Sequence, residues 1–136
     1  MYVAGANLTV PFFTVVLRKA YGLGALAMAT GSFDETFFAI SWPTGEFAGM
    51  GLEGQIKLGR RNELAAIEDI PKRKARYEEL VADAYAWSRA LNAGTVFEVD
   101  DVIDPADTRK WIVMGLEASP TPIPRAGKKH SWIDTW

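Results

Sequence analysis

Residues 21–26, Tyr-Gly-Leu-Gly-Ala-Leu, hold the best-placed chemistry in this chain. They form a turn with two glycines, between an apolar strand-like run and a stretch of good helix formers. Such a turn aims backbone N–H groups at one point. The first N–H groups of a helix have no internal partner, and the helix dipole adds partial positive charge there. A negative oxygen can be held in this way without any ionisable side chain. The same glycines could equally serve only to let strand and helix pack closely. The turn by itself leaves both uses open.

Other catalytic arrangements are sparse. The chain has no cysteine, which excludes disulfides, thiolate catalysis and cysteine-based zinc sites. His130 is the single histidine, so a multi-histidine metal site is excluded too. It sits in a proline-rich basic tail, where a solvated or docking role is expected. Asp34 and Glu35 read as a loop pair. Asp100 and Asp101 are adjacent on an expected strand and would point to opposite faces, against a joint role. Residues 72–74 read as a solvated helix start, and Tyr77, Tyr85 and Trp87 as core or interface residues. One rival pattern exists. Gly22, Gly24 and Ala27 fit the G-x-G-x-x-G/A dinucleotide fingerprint, which makes a nicotinamide-dependent oxidoreductase the alternative enzyme class. Its acidic partner is expected about 20 residues on, and Glu46 has roughly that spacing. However, residues 18–21 stand between the apolar run and the first glycine, and Glu46 follows Trp-Pro-Thr-Gly.

The elements that must position the turn come next. The chain has 136 residues, 49% apolar and 24% charged, which suits one domain with a real core. A formal charge of −2 argues against nucleic-acid binding by bulk basicity. No run approaches the ~20 apolar residues of a membrane span, and no secretory signal is visible at the start. A cytoplasmic setting is expected. Residues 12–17 read as a strand buried on both faces, as in a parallel sheet between helices. Residues 25–29 read as a helix broken by Gly31. Residues 37–42 read as a second strand and 46–50 as a third. Glycines at 45, 49, 51, 54 and 59 suggest tight backbone packing around a short helix at 52–58. The spacing of Tyr77, Leu80, Val81, Ala84, Tyr85, Ser88 and Leu91 predicts a helix over 72–91, ended by residues 92–94. A short strand falls within 95–103. Asp104, Pro105 and Asp107 start a last helix that runs to about Ala118. Residues 119–136 read as a proline-rich basic tail, with Trp132 and Trp136 expected to dock.

Several ordered motifs carry a resemblance. Residues 18–22 read Arg-Lys-Ala-Tyr-Gly, residues 41–46 Ser-Trp-Pro-Thr-Gly-Glu, and residues 50–54 Met-Gly-Leu-Glu-Gly. Residues 100–105 read Asp-Asp-Val-Ile-Asp-Pro, followed by Thr108 and Arg109. Together they resemble the carboxyltransferase (beta) subunit of biotin-dependent acyl-CoA carboxylases, of the acetyl-/propionyl-CoA carboxylase type, over about residues 8–116.

The resemblance implies an α/β fold of the crotonase-like kind, a superhelix of ββα units. Residues 1–118 would be the C-terminal carboxyltransferase domain, incomplete at its N-terminus. The implied reaction moves a carboxyl group from carboxybiotin, borne by a separate carrier protein, to the α-carbon of an acyl-CoA. It needs no side-chain base and no metal from this chain. By position, the backbone N–H groups of Leu23 and Gly24 would bind the biotin ureido oxygen. Gly22, Ala25 and Leu26 would border the substrates, with Leu26 where the family sets acyl-chain preference. Implied partners are acyl-CoA, the biotin carboxyl carrier or biotin carboxylase subunit, the N-terminal carboxyltransferase domain and further copies of the chain. A non-catalytic crotonase-like assembly module is the non-enzyme alternative. The family's Gly-Gly-Ala-Tyr is here Gly22-Leu23-Gly24-Ala25, so the donor at 23 requires a φ angle that a side chain tolerates.

Overall fold

Two short runs without a charged residue become paired strands. In the computed structural model, which describes residues 1–121, β1 is Phe13–Val16 and β3 is Phe38–Ser41. They run parallel, with Phe13 opposite Phe38 and Val16 opposite Ser41. A two-residue strand, β5 (Asp101–Val102), pairs parallel with the other side of β3. The sheet order is therefore β1-β3-β5, with β3 central and buried at every position. Ile40 and Ser41 are fully covered. This is the parallel sheet expected from continuous apolar runs. On β1 only Val16 is buried, because β1 is an edge strand. Asp100 extends the ladder beyond β5. Its N–H donates to the Ala39 carbonyl at 2.8 Å, and its Oδ2 accepts the Ala39 N–H at 2.7 Å. Asp101 instead accepts its neighbour's Val102 N–H, so the two acids act apart, as expected.

Helices cover the sheet on both faces. Phe38 and Ile40 face the last helix, α7 (Thr108–Ala118), in a cluster with Ile103, Trp111 and Ile112. Phe13 and Phe38 stack at 4.6 Å, and Trp111 meets Phe38 edge-on at 5.5 Å. Gly115 permits this approach, since a Cβ there would lie 2.7 Å from the Phe38 ring. Asp104 starts this region by accepting the Ala106 N–H at 2.8 Å, with Pro105–Asp107 forming a 3-10 turn before α7. Val16 and Ala39 face the opposite cluster, with Ala20, Ala29, Phe33 and Val99.

A second, two-stranded sheet corrects the sequence reading around the turn. Lys19–Tyr21 is a strand, β2, paired parallel with β4 (Glu46–Ala48). Helix α2 (Gly22–Met28) then begins at Gly22 itself rather than at Ala25. The expectation of tight packing at the glycine-rich stretch holds at Gly45 and fails along the rest of it as a matter of side-chain space. A Cβ at Gly49, Gly51, Gly54 or Gly59 would meet nothing within 4 Å. Only Gly45 is crowded, by Ser41 Oγ, the Trp42 carbonyl and Ala90. The helix at 52–58 is α3 (Leu52–Gly59), followed by α4 (Arg61–Ala65).

The long helix is shifted. It is α5 (Ile70–Trp87), opened by Asp69, whose side chain accepts the Lys72 N–H at 3.0 Å. It stops at Trp87 because the next backbone groups are diverted to β4. Ser88 O accepts the Phe47 N–H at 2.7 Å, and Ala90 N–H donates to Gly45 O at 2.9 Å. Residues 92–94, expected to end the helix, lie inside a new one, α6 (Ala90–Thr95). The first helix, α1 (Tyr2–Ala6), precedes β1. No helix among the described residues is long and apolar enough to cross a membrane. His130 and the two terminal tryptophans lie outside the described residues.

Candidate functional site

The site is built where β2 turns into α2. Gly22 makes the turn with φ +61°, a conformation that side chains rarely adopt. A Cβ there would also meet the Gly49 carbonyl oxygen at 2.8 Å. Close packing is therefore one true reading of this glycine. Leu23 is ordinary in φ, since Thr30 and Phe97 are the only non-glycine residues with positive φ among those described. The replacement of glycine by leucine is thus accommodated, and its side chain stands 73% exposed. Leu23 and Gly24 lie in the first turn of α2, where N–H groups have no intrahelical partner. Tyr21, which precedes that turn, provides no capping side-chain bond.

Tyr21 is engaged elsewhere. Its O–H donates to Glu46 Oε2 at 2.6 Å across the β2–β4 pair. Burial first, and then the bond and charge of Glu46, push the phenol well above its ordinary value, so it stays protonated. A second pair repeats the theme. Tyr85 O–H donates to Glu53 Oε1 at 2.6 Å, which holds the Glu53 carboxyl below its usual range and raises the phenol.

Beside the turn lies a cavity of about 390 Å³. Gly22, Leu23, Ala25 and Leu26 form one wall, with Phe33 and Phe47 behind them. Trp87 and Val96 stand on the opposite wall with Ser88, Asn92 and Glu98. Four of the five expected site residues therefore meet at one cavity, and Gly24 faces outward next to it. Volume and apolar lining suit a small organic group held by few polar contacts. The side-chain N–H groups of Asn92 are used internally, on the carbonyls of Ala86 and Trp87 at 3.1 and 3.0 Å.

Sequence reasoning missed the opposite wall and both tyrosine–glutamate pairs. Tyr21, Glu46 and Glu53 all lie within the quoted motifs, but their joining depends on the β2–β4 register and the seat of α5, which no local pattern reveals. Asp34 and Glu35 are the exposed members of a 3-10 turn, Phe33–Glu35, whose Phe33 alone reaches the cavity. Gly22 follows a strand directly after all, which removes one objection to the dinucleotide fingerprint. Glu46, however, is occupied by Tyr21 rather than free to meet a ribose.

Fold and site together define an α/β domain with an uncapped strand–turn–helix junction beside an apolar cavity. The chain belongs to the carboxyl transferase domain family, which matches residues 1–131. It is 40% identical over 131 residues to the methylmalonyl-CoA carboxyltransferase 12S subunit of Propionibacterium freudenreichii subsp. shermanii, covering 96% of this chain and 24% of that one. The transcarboxylase 12S crystal structure, described as a hexamer assembly with methylmalonyl-CoA bound, superposes with TM-score 0.79 at 38% identity, covering 96% of this chain and 25% of that one. A single-chain, multi-domain long-chain acyl-CoA carboxylase is 50% identical, with TM-score 0.70 over 83% of this chain and 11% of that one. The fold is the crotonase-like α/β fold of these structures. The chain spans 19% to 24% of the length of the first relatives it matches. The nicotinamide-dependent oxidoreductase is not favoured.

Proposed function

We propose that this chain furnishes the biotin-side half of a carboxyl-transfer site acting on an acyl-CoA. One observation carries the reading: the first turn of α2 has no side-chain cap, and Leu23 on that turn lines an apolar cavity that can seat a neutral ring, with Gly24 exposed beside it. Carboxybiotin, delivered on a separate carrier protein, supplies the activated carboxyl group when bound. The residues present suit it, because a ureido oxygen needs donors and the ring needs an apolar wall. Leu23 and Gly24 N–H groups stabilise negative charge on that oxygen. One such donor is worth about 3–4 kcal/mol of transition-state stabilisation. Gly22 sets the direction of the amides, and Leu26 presents an apolar surface toward the acyl group. No side-chain base of this chain takes part, in keeping with the sparse titratable groups on the cavity wall.

The acyl-CoA is met together with an N-terminal carboxyltransferase domain, and the working form is a homo-oligomer with a biotin carboxyl carrier or biotin carboxylase partner, in the cytoplasm. Family membership and the hexamer named for the 12S relative support this assembly. Exposed apolar side chains on the cavity rim, Leu23 at 73% and Trp87 at 72%, fit a surface that a neighbour covers. Leu23→Pro in the native assembly containing this chain tests the reading. Proline is tolerated in a first helical turn yet lacks the N–H. Carboxyl transfer is expected to fall by about 10²–10³ with the circular dichroism unchanged. An unaltered kcat in the folded variant overturns the assignment.

A further inference from the structure

We infer that Tyr21 and Glu46 form a positioning pair that keeps the amides of Leu23 and Gly24 open to a ligand; this rests on the reading of the turn given above. The residue before a helix is usually Ser, Thr, Asp or Asn, whose side-chain oxygen accepts the N–H of the second or third helical residue. In α2 those residues are Leu23 and Gly24. A short polar side chain at position 21 would therefore occupy one of the two donors the site needs. Tyr21 makes no such bond, and its hydroxyl is bound to Glu46 at 2.6 Å instead.

Glu46 is itself held on both sides. Its N–H donates to Arg18 O at 2.6 Å, and it forms an antiparallel bridge with Arg89. The next residue, Phe47, donates to Ser88 O at 2.7 Å. Just past the end of β4, Gly49 presents the carbonyl that lies against Gly22. The β4 segment thus grips the turn at two points, the Tyr21 side chain and the Gly22 backbone. The Tyr21 hydroxyl also satisfies one oxygen of the Glu46 carboxylate, which keeps that side chain in place across the β2–β4 pair. Tyr21 does not touch the reacting atoms in this scheme; it acts through the turn.

Three variants in the native assembly test the pair, with Leu23→Pro as reference. Tyr21→Phe keeps the ring and removes the bond. It is expected to lower kcat roughly ten- to hundredfold, as a small misplacement of catalytic groups does, with KM for acyl-CoA unchanged. Glu46→Gln retains an acceptor oxygen and is expected to keep most activity. Tyr21→Ser supplies a capping hydroxyl and is expected to lose more kcat than its ring-less control Tyr21→Ala while melting no lower than that control. That split separates occupied donors from simple loss of packing. Wild-type kcat in folded Tyr21→Phe overturns the proposal, as does a Glu46→Gln loss equal to that of Tyr21→Phe. If Leu23→Pro is inactive while Tyr21→Phe is normal, only the positioning role falls. If Leu23→Pro is fully active, the oxyanion reading falls with it.

Discussion

In the three-stranded sheet, β3 is buried at all four positions between Phe13, Trp111 and Ile112 on one side and Val16, Phe33 and Val99 on the other. In the two-stranded sheet, β2 and β4 carry Lys19, Tyr21 and Glu46 and border a cavity. The first sheet is held by apolar burial on two faces. The second is held by ladder bonds, one phenol–carboxylate bond, a glycine against a carbonyl, and apolar burial on one face only, where Ala20 and Phe47 join the Val16 cluster. Stability is concentrated in one and geometry in the other. The turn thus extends from a firm platform without being covered by it, which leaves its amides accessible.

The contrast can be broken at its strong end first. Ile40 is 0% exposed at the centre of β3. Ile40→Ala is expected to cost about 2–5 kcal/mol in urea denaturation, the usual range for emptying a packed position. A loss below about 1 kcal/mol would mean that the closed sheet is not where stability resides. At the other sheet, Gly22→Ala must place a Cβ 2.8 Å from the Gly49 carbonyl at φ +61°. Its expected cost is about 1–3 kcal/mol. Carboxyl transfer should fall further than that loss of folded protein explains, because the amides after residue 22 are re-aimed. Parallel losses of fold and activity would dissolve the distinction between the two sheets. The smallest expected effect is a slope. Tyr21 holds its proton more tightly folded than unfolded, so its contribution is complete below the ordinary tyrosine value of 10.0 and is lost as pH rises beyond it. Tyr85 adds in the same direction. Denaturation above about pH 10 should therefore show stability falling less steeply in Tyr21→Phe than in the wild type. Equal slopes would mean that the phenol–carboxylate bond does not hold the second sheet.

The closed sheet was the more legible of the two in the sequence. Residues 12–17 and 37–42 are uncharged runs broken only by Thr14 and Ser41, and such predominantly apolar runs become strands buried between helices. The cap at Asp104 was equally plain, because Asp104 and Pro105 act within a few residues of one another, but they open a 3-10 turn and the helix proper starts three residues later, at Thr108. The open sheet was obscured for the opposite reason. Lys19, Ala20 and Tyr21 have no periodic pattern, and what makes them a strand is pairing with residues 27 positions away in the chain, as Lys19 opposite Glu46 shows. The break after Trp87 was hidden because the helical spacing of α5 runs on through Ser88 and Leu91. Only the distant backbone of β4 diverts it. At the site, glycine spacing located the amide wall. The facing wall, with Trp87, Asn92 and Val96, is assembled by tertiary placement of α5 and α6 and leaves no local trace.

Trp87 has one further consequence. Its indole stands 72% exposed at the cavity edge, whereas Trp42 and Trp111 are partly shielded within the closed sheet's cluster. The rim thus carries a natural chromophore, whose emission responds to the polarity around it. Covering the rim, by a docking subunit or a seated ring, would turn the fluorescence of this one side chain toward the blue. The molecule thereby reports occupancy of its own site optically, with no label attached.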